Sequence, residues 1–428
     1  MKVYKFGGAS IKNADSVRNL FEIIKLSVGF ELIIVVSAMD KTTNSLEKLT
    51  HDFFFHDRDI NSSVHKIKVF HNKLAEELFT DPLHPVFNDL ELIYDRIKNK
   101  CIHLRREEAI YDFIYDQVVS EGEMLSSSIV SHYLIECGID AALLDATKLI
   151  KTDDVYRDAS VNWEKTTEKI KKKITFNQNV YITQGFIGSC EKGHTTTLGR
   201  EGSDFTAAIF ANVLDASEVV IWKDVPGLLN ADPKHFSNTK KLNNISYHEA
   251  VELAYYGATI IHPKTIKPLQ NKAIPLYVKS FNDVKLEGTL INENSAADSV
   301  TPSYIFKTDQ VLVSINSRDY SFVSETHLGE LFSLFAKLHI KINLMENSAI
   351  SFSVCFNDDE EKLERFMKAI KDKYKILYNR GVELMTVRHY DQDTLDQLIQ
   401  NKEILVEQRS RHTARLVMKN KVGEGVKG

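Results

Sequence analysis

Apolar positions follow two rhythms along the chain. Up to residue 295, short apolar runs alternate with stretches in which apolar residues recur every three or four positions. Lys2–Phe6 alternates as a short strand, and 31–37 (ELIIVVS) is continuously apolar, as in a strand buried on both faces. Further strands are predicted over 139–144, 179–184, 218–222 and 274–280. Helical spacing covers 13–27, a charged and aromatic stretch over 50–115 broken by Pro82 and Pro85, 120–137, and the run that follows Ser203. Ser246 and Glu249 form a capping-box pattern before EAVELAYYGA, and His262-Pro263-Lys264 opens the next helix. This alternation predicts a mainly parallel sheet covered on both faces. From residue 301 strands are predicted over 310–316, 341–345, 351–356 and 382–389, with helices over 325–338 and 359–371. A shorter round (393–400, 404–408, 413–418) follows, so a βαββαβ unit precedes an incomplete repeat.

Length and composition narrow the function classes. A chain of 428 residues suggests two or three domains. A net charge of −5, with 43% hydrophobic and 26% charged residues, calls for neither nucleic acid nor a membrane. An anionic ligand would have to be attracted locally. No apolar run approaches the roughly 20 residues that span a bilayer, and MKVYKFGGAS lacks the apolar segment of a signal peptide. Cys101, Cys137, Cys190 and Cys355 are scattered without a CxxC pair, which predicts reduced thiols in a cytoplasmic protein.

The densest chemistry lies in TTTLGREGSDFTAA, 195–208. Ser203 is the expected N-cap of the helix, and Arg200 is a guanidinium fork suited to a carboxylate. Alone, the same pattern also describes a polar loop capping a core helix. Gly7-Gly8, followed by Ser10, sits between a strand and a helix, the layout of a backbone phosphate cradle, although neither GxxxxGK[ST] nor GxGxxG occurs. Lys5 lies near a strand's carboxyl end, where α/β sheets bind ligands and where an ammonium can neutralise a phosphoryl group. Its alternative is an exposed lysine. Ser37, Thr43 and Asn44 follow the second strand and read either as ligand contacts or as a capping turn. Glu123 complements a helix N-terminus or takes a cationic amino group. The helical stretch over 50–115 shows no chemistry and reads as a solvated face.

Taken in order, KFGGAS, VVSAMDKTTN, GEMLSSS, TTLGREGSDFTAA, IWKDVPGLLNADP and ELAYYGATIIHPKTIKPL resemble the motifs of aspartate kinases of the amino-acid kinase fold. VELMTVRHY and LVEQRSRHTARLV resemble the paired ACT regulatory domains of that family. The resemblance implies an α/β amino-acid kinase domain over 1–295, with a mainly parallel sheet between helical layers. It also implies C-terminal α+β ACT units over 301–376 and 377–428, the second shortened and completed by a strand from 302–308.

The implied reaction is ATP and L-aspartate giving 4-phospho-L-aspartate and ADP, with Mg²⁺. In that family this is the first, feedback-regulated step of lysine, threonine and methionine synthesis. Lys5 and Asp204 would be catalytic, Lys5 bridging the phosphates and the attacking carboxylate, Asp204 orienting Lys5 or assisting the metal. Ser37, Thr43, Glu123, Arg200 and Ser203 would bind aspartate. Gly7, Gly8, Ser10, Lys223, Asp224, Leu229, Lys234 and Thr259 would bind ATP. Asn343, Asn347 and Ser348 fall in the implied effector loop, where lysine or threonine would bind, and a homodimer is implied. No direct metal ligand is assigned.

Four positions depart from the usual pattern. Glu201 replaces a Gly, and its side chain is expected to point away from the substrates. Lys223 replaces a Thr, Leu229 a Tyr, and Thr259 a nucleotide-binding Lys, so a positive charge is expected to have moved from 259 to 223. Another amino-acid kinase, or an amino-acid sensor on an inactive kinase scaffold, would share much of this pattern.

Overall fold

The computed structural model describes residues 1–27, 29–56, 58–104, 110–176, 179–258, 261–318 and 321–421. The chain divides into two compact units. The first comprises Met1–Leu228, Lys241–Val251 and Thr259–Ser295; the second comprises Leu229–Lys240, Glu252–Ala258 and Ala296–Gly428.

An eight-stranded sheet organises the first unit. Its spatial order is Asn244–Ser246, Thr289–Asn292, Leu276–Ser280, Glu218–Lys223, Lys2–Phe6, Leu32–Val36, Val180–Gln184 and Ala141–Leu143. Every adjacent pair is parallel except Leu276–Ser280 against Thr289–Asn292. Lys2–Phe6 occupies the middle of this sheet, and its residues from Val3 to Phe6 are buried. The register sets Phe6 beside Val36 and Trp222, and Val36 beside Gln184. Four strands therefore end at one edge, and the segments beginning at Gly7, Ser37, Asp224 and Gly185 leave it together. This is the edge at which parallel α/β sheets hold ligands.

Helices cover the sheet as the periodicity predicts. Ala14–Lys25 is capped by Asn13, whose side-chain oxygen accepts from Ser16 N–H at 2.9 Å. The stretch over 50–115 read as a set of helices contains Asn61–Leu78 and Pro85–His103 and overlaps Thr42–His56 and Tyr111–Val119 at its two ends. Pro85 is the first residue of its helix, where its missing N–H costs nothing. Ser246 caps the next predicted helix by accepting from Glu249 N–H at 3.0 Å.

The helix Gly202–Val213 corrects one expectation: its N-cap is Glu201, not Ser203. Glu201 has φ +54 and makes no side-chain cap. The chain enters the helix through a left-handed residue, so Ser203 already lies in the first turn. Every residue from Gly202 to Ala211 is buried.

The second unit holds a six-stranded sheet in the order Ile342–Asn347, Ser351–Asn357, Ser303–Ser317, Tyr374–Arg388, Thr413–Asn420 and Lys402–Arg409, antiparallel at each junction. Two 15-residue strands run through it, longer than the pattern predicts at 310–316 and 382–389. In the first of them, Ser303–Lys307 pairs with Leu384–Arg388, while Gln310–Asn316 pairs with Ser351–Asn357. The early part of Tyr374–Arg388 is mostly exposed, so no apolar alternation announced it. Phe335 stacks on Phe366 at 4.5 Å in the core beneath the helices Glu325–Lys337 and Glu360–Ile370.

Candidate active site

The segments leaving the sheet edge enclose a cavity of about 550 Å³. Lys5, Gly8, Ser37, Thr43, Glu123, Arg200, Ser203, Asp204 and Lys223 line it. Residues from Lys5 to Lys223, more than two hundred positions apart in the chain, thus meet in one place.

Its centre is an ion pair. Lys5 Nζ lies 2.5 Å from Asp204 Oδ1, with the residues 8% and 1% exposed. Lys5 comes from the central strand and Asp204 from the first turn of Gly202–Val213. Lys223, at the end of the neighbouring strand, places Nζ 4.0 Å from Asp204 Oδ2. One carboxylate thereby anchors two ammonium groups on the same wall. Gly8 lets the first loop pass close beneath: a Cβ there would stand 2.6 Å from the Ala38 carbonyl oxygen. Asp40 N–H also donates to Gly8 O at 3.1 Å.

Glu123, from the first turn of Glu121–Glu136, also lines the cavity. It is 3% exposed. Ala38 N–H reaches Oε1 at 3.4 Å, and Oε2 has no hydrogen-bond partner among the described residues. Burial pushes its carboxyl up to about 8, against the lowering effect of the Ala38 N–H. A buried carboxylate with one open oxygen is suited to a cation arriving with a ligand.

Other expected residues lie elsewhere. Ser10 is 2% exposed and donates to the Trp222 carbonyl at 3.1 Å, tying the first loop to the neighbouring strand rather than facing the cavity. Gly7 does not line the cavity, although a Cβ there would come within 3.5 Å of Lys5 Nζ. Asp224 is exposed and does not line it either. Leu229 and Lys234 belong to the second unit. Thr259 lies outside the described residues.

The cavity also contains residues that the pattern did not reveal. Glu201 lines it, contrary to the expectation that it points away, and its Oε2 is buried without a hydrogen-bond partner among the described residues. The left-handed backbone at 201 turns the side chain inward. Glu47, Tyr115 and Arg157 form another wall, with the Tyr115 hydroxyl donating to Glu47. Tyr115 comes from the stretch read as a solvated face, and Glu47 from the helix Thr42–His56 that runs into it.

A model of the amino acid kinase family matches residues 1–280. The lysine-sensitive aspartokinase 3 of Escherichia coli K12 is 30% identical over 356 residues, 82% of this chain and 77% of that one. This chain belongs to the aspartokinases of the amino acid kinase family. Chloroplastic aspartokinase 1 of Arabidopsis thaliana is 32% identical over 365 residues, 82% of this chain and 62% of that one. The bifunctional aspartokinase/homoserine dehydrogenase of Buchnera aphidicola is 30% identical over 392 residues, and the chain spans 46% of its length. Among solved structures, E. coli aspartokinase III in complex with aspartate and ADP superposes with a TM-score of 0.81 at 26% identity, covering 97% of this chain and 96% of the other.

Against that aspartokinase background, the region of the expected effector residues has its own chemistry. Asn343 is 9% exposed. Its amide donates to Gln310 Oε1 at 2.7 Å and Asn357 Oδ1 at 2.8 Å, and its oxygen accepts from Lys307 Nζ at 2.9 Å. Both of its N–H groups are therefore committed within the sheet. Asn347 and Ser348 are exposed, and the Ser348 hydroxyl is shared with Ser351 Oγ at 2.6 Å.

Proposed function

We propose that this chain transfers the γ-phosphoryl group of ATP to the β-carboxylate of L-aspartate, giving 4-phospho-L-aspartate and ADP. One observation carries the reading: the Lys5–Asp204 pair shares a cavity with both Arg200 and Glu123. Arg200 and Glu123 match the carboxylate and ammonium of an amino acid, and Lys5 with Lys223 matches the phosphates.

In this reading a β-carboxylate oxygen forms the new O–P bond. The bond from the γ-phosphorus to the bridging oxygen breaks, and ADP leaves with its electron pair. The acceptor is ionised near neutral pH, so no base is required. The chain's task is alignment and neutralisation. Lys5 Nζ, fixed by Asp204, sits where charge accumulates; Arg200 holds the α-carboxylate, Glu123 the ammonium, and Ser37, Thr43 and Ser203 complete the pocket. Gly8 brings backbone close to the phosphates. Glu201 Oε2, buried at the cavity without a hydrogen-bond partner among the described residues, would suit a hard cation such as Mg²⁺, which bound with ATP would neutralise phosphate oxygens.

Trapping the product with hydroxylamine tests this. Hydroxamate should form with ATP, Mg²⁺ and aspartate, and not with glutamate. Aspartate binding with no hydroxamate would instead favour the sensor reading. Lys223 is proposed to supply the nucleotide-site charge that Thr259 lacks. Lys223→Thr should raise the KM for ATP about tenfold, roughly 1.4 kcal/mol; an unchanged KM would remove that role.

We also assign 1–295 to the catalytic domain, and 301–376 and 377–428, with 302–308, to ACT units. The pairing of Ser303–Lys307 with Leu384–Arg388 supports the shared strand. Lysine or threonine is the proposed effector, near Asn347 and Ser348, and a homodimer through the second unit is the proposed assembly. E. coli aspartokinase III has been solved in complex with lysine and aspartate. Hydroxamate rates with each amino acid, and light-scattering mass with and without it, would decide both. A cytoplasmic location accords with four free thiols, and no described helix is long and apolar enough to cross a membrane.

A further inference from the structure

Arg157 holds a left-handed backbone, φ +68, on the wall of the cavity. A side chain with a Cβ is disfavoured there, so the surroundings must impose the conformation. Asp116 does so. Its carboxylate is 0% exposed and accepts from Arg157 N–H at 3.0 Å, Thr197 N–H at 2.8 Å and Thr197 Oγ1 at 2.7 Å. Thr197 stands three residues before Arg200. One buried carboxylate thus ties the Arg157 turn to the strand that delivers the carboxylate-binding arginine. Burial outweighs the lowering effect of the donors from Thr197 and Arg157 and leaves Asp116 pushed up to about 6.

The guanidinium of Arg157 is equally constrained. It lies 4.4 Å from the Tyr115 ring centroid and 5.8 Å from that of Tyr111. Nη1 donates to Asp112 at 3.2 Å, the guanidinium's one hydrogen-bond partner among the described residues. Tyr115 is itself held by its bond to Glu47. A stacked, planar cation fixed at one corner keeps its other donors for a ligand. The ammonium groups of Lys5 and Lys223 gather around Asp204, whereas Arg157 shares its anchor with the Arg200 segment. This shared anchor sets the Arg157 turn beside the segment that carries Arg200.

We propose that Arg157 is a second guanidinium of the substrate site, holding the α-carboxylate of aspartate together with Arg200. This rests on the aspartate kinase reading. It makes the site selective for acceptors that carry an α-carboxylate beside the reacting one.

Arg157→Gly is the informative variant, because glycine accepts positive φ and removes only the side chain. The wild-type chain is assayed first: no hydroxamate from aspartate overturns the kinase reading and this inference with it. With an active wild type, Arg157→Gly should raise the aspartate KM at least about tenfold, the loss expected for one charge-assisted pair. The ATP KM should stay within about twofold and kcat within about threefold. β-Alanine, which is aspartate without its α-carboxylate, should compete equally well against both proteins. An aspartate KM within twofold of wild type, a rise in the ATP KM instead, or an equal loss of β-alanine binding would each overturn the assignment.

Discussion

Lys5→Met should lower kcat for hydroxamate formation about a thousandfold while leaving the aspartate KM within a few-fold. Methionine keeps most of the buried stem and removes the charge. One preorganised donor aimed at developing charge in a water-poor site is worth about 3–4 kcal/mol, or roughly a hundred- to a thousandfold. Lys5 is 8% exposed, which puts it in that regime rather than in the screened one of surface charges. The variant has a second consequence. Asp204 is 1% exposed and would be left with Lys223, at 4.0 Å, as its remaining ammonium partner among the described residues. Leaving a buried charge without its close partner costs about 3–5 kcal/mol. Lys5→Met with Asp204→Asn should therefore recover much of the lost stability and none of the lost rate. Thermal melting and steady-state kinetics on both proteins separate the two effects. A single variant that kept more than a tenth of wild-type kcat would remove Lys5 from catalysis.

The motif residues that line the cavity were legible because they lie where sequence reports geometry directly. Lys5 sits at the end of an alternating run, and the parallel register then places that end beside those of three other strands. Ser246 capped its helix as the spacing indicated because a capping box is a local device. Ser203 did not, because a left-handed residue at 201 supplies the turn, and no side-chain preference identifies Glu as adopting that conformation. The wall of Glu47, Tyr115 and Arg157 was invisible for another reason. Tyr115 is 68 residues from Glu47, so their contact exists only after the helices pack. In sequence each looks like a surface residue on an amphipathic helix or loop. Burial also decides the character of Glu123: a first-turn carboxylate reads as a dipole partner until packing removes its water.

That removal of water sets the second large effect. Glu123→Gln should raise stability above pH 8 and destroy aspartate affinity. In the folded chain burial lifts the carboxyl from 4.5 to about 8. The folded state therefore holds a proton that the unfolded state releases once pH passes 4.5. Stability falls as pH rises through this window, and the loss is complete above pH 8. A tenfold change in proton affinity is worth about 1.4 kcal/mol, so ionising the buried side chain costs on the order of 3–5 kcal/mol. Glutamine keeps the shape and an acceptor for Ala38 N–H but cannot ionise. Its melting temperature should change less between pH 5 and pH 9, and should exceed that of the wild type at the upper end. Function runs the other way. The ammonium of aspartate needs the ionised carboxylate, so binding must expel the proton below pH 8. The wild-type aspartate KM should fall about tenfold for each step of one in pH toward 8 and then level off. In Glu123→Gln it should be flat, about a hundredfold above the wild-type value reached at pH 8 and beyond, since a charge-assisted bond worth about 2–3 kcal/mol is gone. A wild-type KM that does not move between pH 6 and pH 8, or a variant that melts lower at pH 9, would show that Glu123 is not the buried, neutral carboxyl that substrate binding ionises.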